Sequence, residues 1–225
     1  MTDGRLIAVT GMRREVRLLP KGHGETVVSG GGNAGLAAKI EQAIARGGKA
    51  VISVGICGGL APGLRVGATV LGTEVVGSGE RYGADPAWLE ALARRIPKAV
   101  QGVIAGVDAV ACEPSQKAAL CRDTGAAAVD MESHIAARVA AGYGLPFAAL
   151  RVVSDAADDR LPPAVLGAVD TEGHLRLGAV LASVARNPLQ VPALIRAGRG
   201  SERAMQSLLR CLDLVGVGLG CPHLG

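Results

Sequence analysis

Aromatic side chains are scarce in this 225-residue chain, which has one Trp, two Tyr and one Phe, 2% in all. No basic run is interleaved with aromatics, so the stacking platforms of a nucleic-acid binder are missing and nucleic acid is set aside as a partner. Long apolar runs are absent too. None reaches the roughly 18 residues of a membrane-spanning helix, and Leu6–Val9, the first apolar run, is too short for a signal-peptide core. Five cysteines (Cys57, Cys112, Cys121, Cys211 and Cys221) make an odd count with no disulfide-framework spacing, so a reducing, cytoplasmic compartment is expected. His23, His134, His174 and His223 are scattered, and no Cys/His spacing forms a four-ligand zinc pattern. No GxxxxGK[ST] occurs, which excludes a P-loop.

What is abundant is small and apolar. Glycine numbers 33 and hydrophobic residues make up 49%, with mean hydropathy +0.32, which excludes intrinsic disorder. The formal charge of +4 is a mild excess. It leaves attraction to an anionic substrate or an anionic membrane surface open. Apolar, β-branched runs at Leu6–Thr10, Ala50–Val54, Ala68–Val76, Val100–Val107, Ala126–Val129 and Phe147–Val153 predict strands buried on both faces. Asn33–Arg46, Pro86–Arg95, Pro114–Arg122 and Glu132–Ala141 predict helices, the first capped by Asn33 and stopped at Gly47-Gly48. Alternating strands and helices predict an α/β domain around a largely parallel or mixed sheet. From about Leu175 the chain becomes Leu/Ala/Arg-rich, with helices expected at Leu177–Ala185, Leu189–Arg196 and Ser201–Leu214 and breaks at Asn187-Pro188 and Gly198–Gly200. A helical cap on the sheet is the plainer reading. A basic amphipathic surface in peripheral contact with lipid is its rival. Neither an internal repeat nor a separating linker is found, so one domain over 1–225 is expected, with a helical extension over about 175–225.

Ligands in such sheets collect at strand ends, and three strand ends carry chemistry. Gly30-Gly31-Gly32-Asn33-Ala34-Gly35 matches GxGxxG, but the next strand runs into Gly55-Ile56-Cys57-Gly58-Gly59 without the acid that a dinucleotide ribose requires. The loop can still hold an anion on backbone N–H groups. Asp130-Met131-Glu132-Ser133 closes one strand and opens a helix, and Arg151-Val152-Val153-Ser154-Asp155 closes another. Each acid alone reads as a helix cap. Together they suit sugar hydroxyls and a leaving base.

At this point the sequence resembles the superfamily of purine nucleoside phosphorylases, uridine phosphorylases and methylthioadenosine/S-adenosylhomocysteine nucleosidases, over about Leu6 to Asp158. The resemblance rests on Gly11-Met12-Arg13-Arg14-Glu15-Val16, Gly55–Pro62, Val129-Asp130-Met131-Glu132 and Arg151–Asp158, in that order. Within it, Gly-Met-Arg-Arg-Glu, Ser-Gly-Gly-Gly-Asn and the Asn-Pro-Leu tail look most like the hopanoid-associated phosphorylases, which are linked to release of adenine from adenosylhopane. The resemblance implies a nucleoside phosphorylase-like α/β fold with a central mixed sheet, a homo-oligomer, a small or lipid-linked nucleoside as substrate, and no metal or organic cofactor. It leaves phosphate open as a co-substrate.

By the same resemblance, Asp155 protonates or hydrogen-bonds purine N7 and Ser154 orients it. Glu132 binds the ribose hydroxyls, Met131 packs on the sugar, Gly58 belongs to the substrate-binding strand end, and Glu15 activates water. Three departures stand out. Ile56 and Cys57 replace the Ser or Thr that holds phosphate or water, leaving an anion to Gly31, Gly32, Arg13, Arg14 or Arg81. Val110 replaces a purine-facing Phe, with Tyr82 as a substitute surface. The aromatic-rich loop after Arg81–Asp85 that closes the 5′ pocket is missing, so that pocket is expected to be open. The expected activity is cleavage of the N-glycosidic bond of a 5′-substituted adenosine. The rivals are a nucleosidase or phosphorylase for small nucleosides and a nucleoside-binding module without turnover.

Overall fold

Residues along β1 (Arg5–Thr10) alternate between two separate cores, and this alternation organises the molecule. Successive strand side chains point to opposite faces. Ile7 and Val9 therefore join one cluster, with Leu36, Ile40 and Ile135, while Leu6 and Ala8 join the other, with Trp88, Leu92, Leu208 and Leu212. A sheet with apolar residues on both faces needs helices on both. The computed structural model describes residues 5–30 and 35–223. In chain order they form β1, α1 (Arg13–Val16), β2 (Glu25–Val28), α2 (Leu36–Ala45), β3 (Gly48–Gly59), β4 (Thr69–Gly77), β5 (Glu80–Gly83), α3 (Pro86–Arg95), β6 (Val100–Gly106), α4 (Pro114–Thr124), β7 (Ala128–Asp130), α5 (Ser133–Gly142), β8 (Phe147–Asp155), α6 (Leu177–Arg186) and α7 (Val191–Val215), with 3-10 turns at Pro163–Val165 and Pro188–Gln190.

The sheet is mixed. Its strand order is β2-β1-β3-β7-β6-β4-β5, and β8 pairs with both β3 and β4, so β3, β7, β6, β4 and β8 close into a ring. β3 runs parallel to β8, placing Gly58 opposite Asp155. β7 runs antiparallel to β3, placing Val129 opposite Gly58. Ring closure thus brings three strand ends, far apart in sequence, to one place. β3 also runs on through Gly55–Gly59 as strand, five residues beyond the predicted Val54. β5 and α1 are further elements that the apolar pattern does not predict, because both are short and sit among charged residues.

Helix α3 starts where the sequence places it. Asp85 caps it by accepting from the Trp88 N–H at 2.8 Å, and Pro86 fills a first-turn position that needs no donor. Helix α2 begins at Leu36 after an N-cap at Gly35, and the predicted cap Asn33 lies outside the described residues. The C-terminal reading needs correction. The predicted break at Gly198–Gly200 does not exist, and α7 is continuous through both glycines. A Cβ on Gly200 would lie 2.3 Å from the Ser154 carbonyl oxygen, so this glycine is required for close helix–strand approach and is no stop signal. Beyond it Ala204, Leu208, Cys211 and Leu212 are buried against the sheet, each leucine contributing about 1.5–3 kcal/mol of apolar transfer. α6 by contrast buries no residue. Among the described residues no helix is long and apolar enough to cross a membrane.

Candidate active site

A fully buried guanidinium stands at the centre of the strand ends. Arg151 on β8 forms an ion pair with Asp130 at 2.6 Å through Nε and approaches Glu132 Oε2 at 3.3 Å through Nη1. Its Nη2 donates to the Ser53 hydroxyl and, at 3.3 Å, to that of Ser133. Asp130 in turn accepts from the N–H of Ser133, the first residue of α5, at 3.0 Å. A buried cation is tolerated only when paired and hydrogen-bonded. Here β7, α5 and β3 all supply the partners.

Glu15 is buried on the other side of this cation. Its Oε2 accepts the N–H groups of Gly11 and Met12, each at 2.8 Å, as a glutamate in a helix capping box does. Its Oε1 accepts the Ile56 N–H of β3 at 2.8 Å, a long-range bond that capping does not require. Gly55 makes the approach possible, because a Cβ there would sit 2.4 Å from Glu15 Oε1 and 2.9 Å from Arg151 Nη1. Burial raises the Glu15 pKa above its ordinary value, against the opposing pull of Arg151. Glu132 Oε1 accepts from the Ser29 hydroxyl at 3.0 Å. Burial, with Arg151 opposing and the Asp130 charge assisting, pushes Glu132 from 4.5 up to about 7. Gly11 leaves room beside it, since a Cβ there would lie 2.9 Å from Glu132 Oε1.

Asp155 ends β8 beside this group. Ser154 places its hydroxyl between the Cys57 carbonyl, 3.0 Å away, and Asp155 Oδ1, 2.7 Å away. Asp155 Oδ2 accepts from Lys117 Nζ at 2.6 Å. Lys117, on α4, is fully buried and spends its other donors on the carbonyls of Ala156 and Asp159 at 2.7 and 2.9 Å. The Asp159 carboxylate accepts the Ala156 N–H at 2.8 Å and braces this turn.

Glu15, Glu132, Ser154, Asp155 and Gly58 therefore come together, with Met131 at the β7–α5 junction between Asp130 and Glu132. Val110 is partly buried in the β6–α4 loop. That loop is joined to the chain beyond Asp155 by a bond of 2.9 Å from the Leu161 N–H to the Cys112 carbonyl. Tyr82 lies on β5 opposite Val75, its hydroxyl held by Glu80, and makes none of the cluster's contacts. The three arginines are spent elsewhere. Arg13 donates to the Glu172 carbonyl at 3.2 Å, Arg14 pairs with Glu202 at 2.7 Å on α7, and Arg81 pairs with Glu74 and donates to the Thr124 carbonyl. Arg81 lines a separate cleft of about 370 Å³ between the β4–β5 hairpin and α4. Gly31 and Gly32 fall outside the described residues.

The sequence reading missed Lys117, Asp130 and Arg151 as working parts of the site. Arg151 carried a signal, as a lone arginine in an otherwise apolar strand. Lys117, in the polar helix Pro114–Thr124, carried none. Among the described residues no group of three or more His, Cys, Asp and Glu side chains is arranged to hold a metal.

Curated proteins give no match to the chain by sequence. Solved structures share its fold. The futalosine hydrolase of Helicobacter pylori superposes with a TM-score of 0.69 at 17% identity, covering 94% of this chain and 97% of that one. The 5′-methylthioadenosine/S-adenosylhomocysteine nucleosidase of the same organism gives 0.69 at 19% identity, covering 95% and 97%. The corresponding Neisseria meningitidis enzyme gives 0.61 at 22% identity, covering 91% and 97%. The architecture is thus that of the nucleoside phosphorylases and nucleosidases, and a family model described as the phosphorylase superfamily matches residues 9–186. By that match, which spans most of the chain, the protein belongs to the phosphorylase superfamily.

Proposed function

We propose that this protein hydrolyses the N-glycosidic bond of a 5′-substituted adenosine and releases adenine, with adenosylhopane as the substrate. The observation that carries the choice of water over phosphate is the engagement of the cations. Arg13, Arg14 and Arg81, expected to receive an anion, are held by the Glu172 carbonyl, Glu202 and Glu74, and Arg151 and Lys117 are held by buried carboxyls of the site itself. Phosphate would have to compete with these partners for a counter-charge, which neutral water does not need. The neighbours in fold named above, a hydrolase and two nucleosidases, agree with this reading.

In this mechanism Glu132 accepts the ribose hydroxyls, and the cleaved bond develops oxocarbenium character that the surrounding carboxylates stabilise. Glu15 is held by three backbone donors. It takes a proton from the water that attacks C1′. As the bond to N9 breaks, N7 takes a proton from Asp155, and Lys117 at 2.6 Å stabilises the carboxylate left behind. Water has then added its hydroxyl to the sugar and a proton to adenine, and a proton passing from Glu15 back to Asp155 restores the start. The hopane assignment is supported by the subgroup motifs and by α3, which begins at Pro86 directly after Arg81–Asp85, where a long closing loop would otherwise stand.

The test is chromatographic detection of adenine from detergent-solubilised adenosylhopane, with and without phosphate. Phosphate-independent release, with a free ribosyl product, is expected. Phosphate dependence with a sugar 1-phosphate would reverse the choice of nucleophile. Turnover of methylthioadenosine alone would reassign the substrate, and no turnover of any adenosine would favour a binding module.

A further inference from the structure

The chain leaves the catalytic strand at Asp155 and returns to it at Gly200, whose backbone packs on the Ser154 carbonyl. The excursion between these points is unlike the rest of the surface. Among the described residues, six of the eleven large hydrophobic residues that stand exposed fall within it: Leu166, Leu175, Leu177, Leu181, Leu189 and Ile195. Leu177 and Leu181, at 63% and 67% exposure, lie one turn apart on the same side of α6, and Leu189 in the following turn is 89% exposed. The segment 175–200 carries four arginines, Arg176, Arg186, Arg196 and Arg199, and no acidic residue. All four are exposed.

We infer that the segment 175–200 of this excursion is a docking surface for an anionic lipid bilayer. Its composition is that of an interfacial helix, with exposed leucines to enter the acyl boundary and arginines to meet lipid phosphates. A second copy of the chain is the poorer occupant. In a two-fold contact the same patch faces itself, and the four arginines of 175–200 would face four arginines, with no acidic residue inside the segment to pair them. The excursion also overhangs the site. Its turn at Asp170–Gly173 bonds the Arg13 N–H to the Gly173 carbonyl at 3.0 Å and packs the Thr171 carbonyl over Gly30. Arg13 and Gly30 lie beside Glu15 and Ser29, so the bilayer would lie next to the carboxylates. Docking stands on this surface alone and is measured without substrate, so it can fail or succeed independently of the proposed reaction.

The experiment is co-sedimentation of the full chain with vesicles of phosphatidylcholine alone and of phosphatidylcholine mixed with phosphatidylglycerol, at low and high salt. Binding to the mixed vesicles that weakens with salt is expected. Arg176→Gln and Arg186→Gln each lower the partition coefficient about fivefold, and the Leu181→Glu/Leu189→Glu double variant abolishes binding. Because these side chains already face solvent, the variants keep the parent melting temperature. Equal binding to both vesicle types, or binding that survives the double variant, overturns the inference. A change of oligomeric state in the double variant would assign the surface to a contact between copies, and capture of an acidic protein in place of lipid would assign it to that partner.

Discussion

Replacing Glu132 with Gln tests the electrostatics of the site through stability as well as activity. The folded pKa of Glu132 lies at about 7, above its ordinary 4.5, chiefly because burial penalises the carboxylate. A raised folded pKa means that the native state holds the proton more tightly than the unfolded chain. The stability associated with this group is therefore full below 4.5 and is lost as pH rises through about 7. The difference between 4.5 and about 7 corresponds to about 3 kcal/mol. Glu132→Gln keeps the shape and the acceptor for Ser29 but cannot ionise. At pH 8 the variant should be more stable than the parent by up to about 3 kcal/mol, reduced by whatever the 3.3 Å contact with Arg151 contributes, and at pH 4 the gain should vanish. For a chain of this size 1 kcal/mol is roughly 2–4 °C in melting temperature, so the shift is easily read by calorimetry or urea titration at the two pH values. The same variant should lose about 10- to 100-fold in kcat/KM, the worth of hydrogen bonds to a charged group. A stability difference that does not change between pH 4 and pH 8 would refute the argument, because the carboxyl ionises over this range and the glutamine does not.

Lys117→Met leaves Asp155 buried without its cation and should lower stability by about 3–5 kcal/mol, measured by urea unfolding. Coupling of similar size in a double-mutant cycle with Asp155→Asn would confirm that the loss belongs to the pair. Gly55→Ala drives a Cβ into Glu15 Oε1, so adenine release should fall at least about 100-fold while the protein still folds, checked by circular dichroism alongside turnover. Gly200→Val should cost about 1–3 kcal/mol in thermal unfolding, because its side chain collides with a strand carbonyl that cannot move aside.

Much of the fold was legible because it is written in local chemistry. The apolar runs Leu6–Thr10 and Phe147–Val153 are near-continuous because both faces are covered, and they appear as β1 and β8 with small extensions. Asp85-Pro86 marked the start of α3 because a capping acid and a prolyl N1 act within one turn. Local reading failed where a residue's meaning comes from a distant neighbour. Gly200 looked like a helix stop and is a packing contact with Ser154. Arg14 and Arg81 looked available for an anion and are held by Glu202 and Glu74.

The sequence by itself determined most of the elements, the α/β class, the superfamily and the candidates Glu15, Glu132 and Asp155, because periodicity, capping and contiguous motifs are properties of short stretches. Only the tertiary structure decided what surrounds those carboxylates. It took the closing of the strand ring through β8 to put Arg151 between Glu132 and Asp130, to lay the Ile56 N–H on Glu15, and to bring Lys117 from α4 to within 2.6 Å of Asp155. Electrostatic interactions in a site depend on distance and burial, and neither is a property of neighbours along a chain.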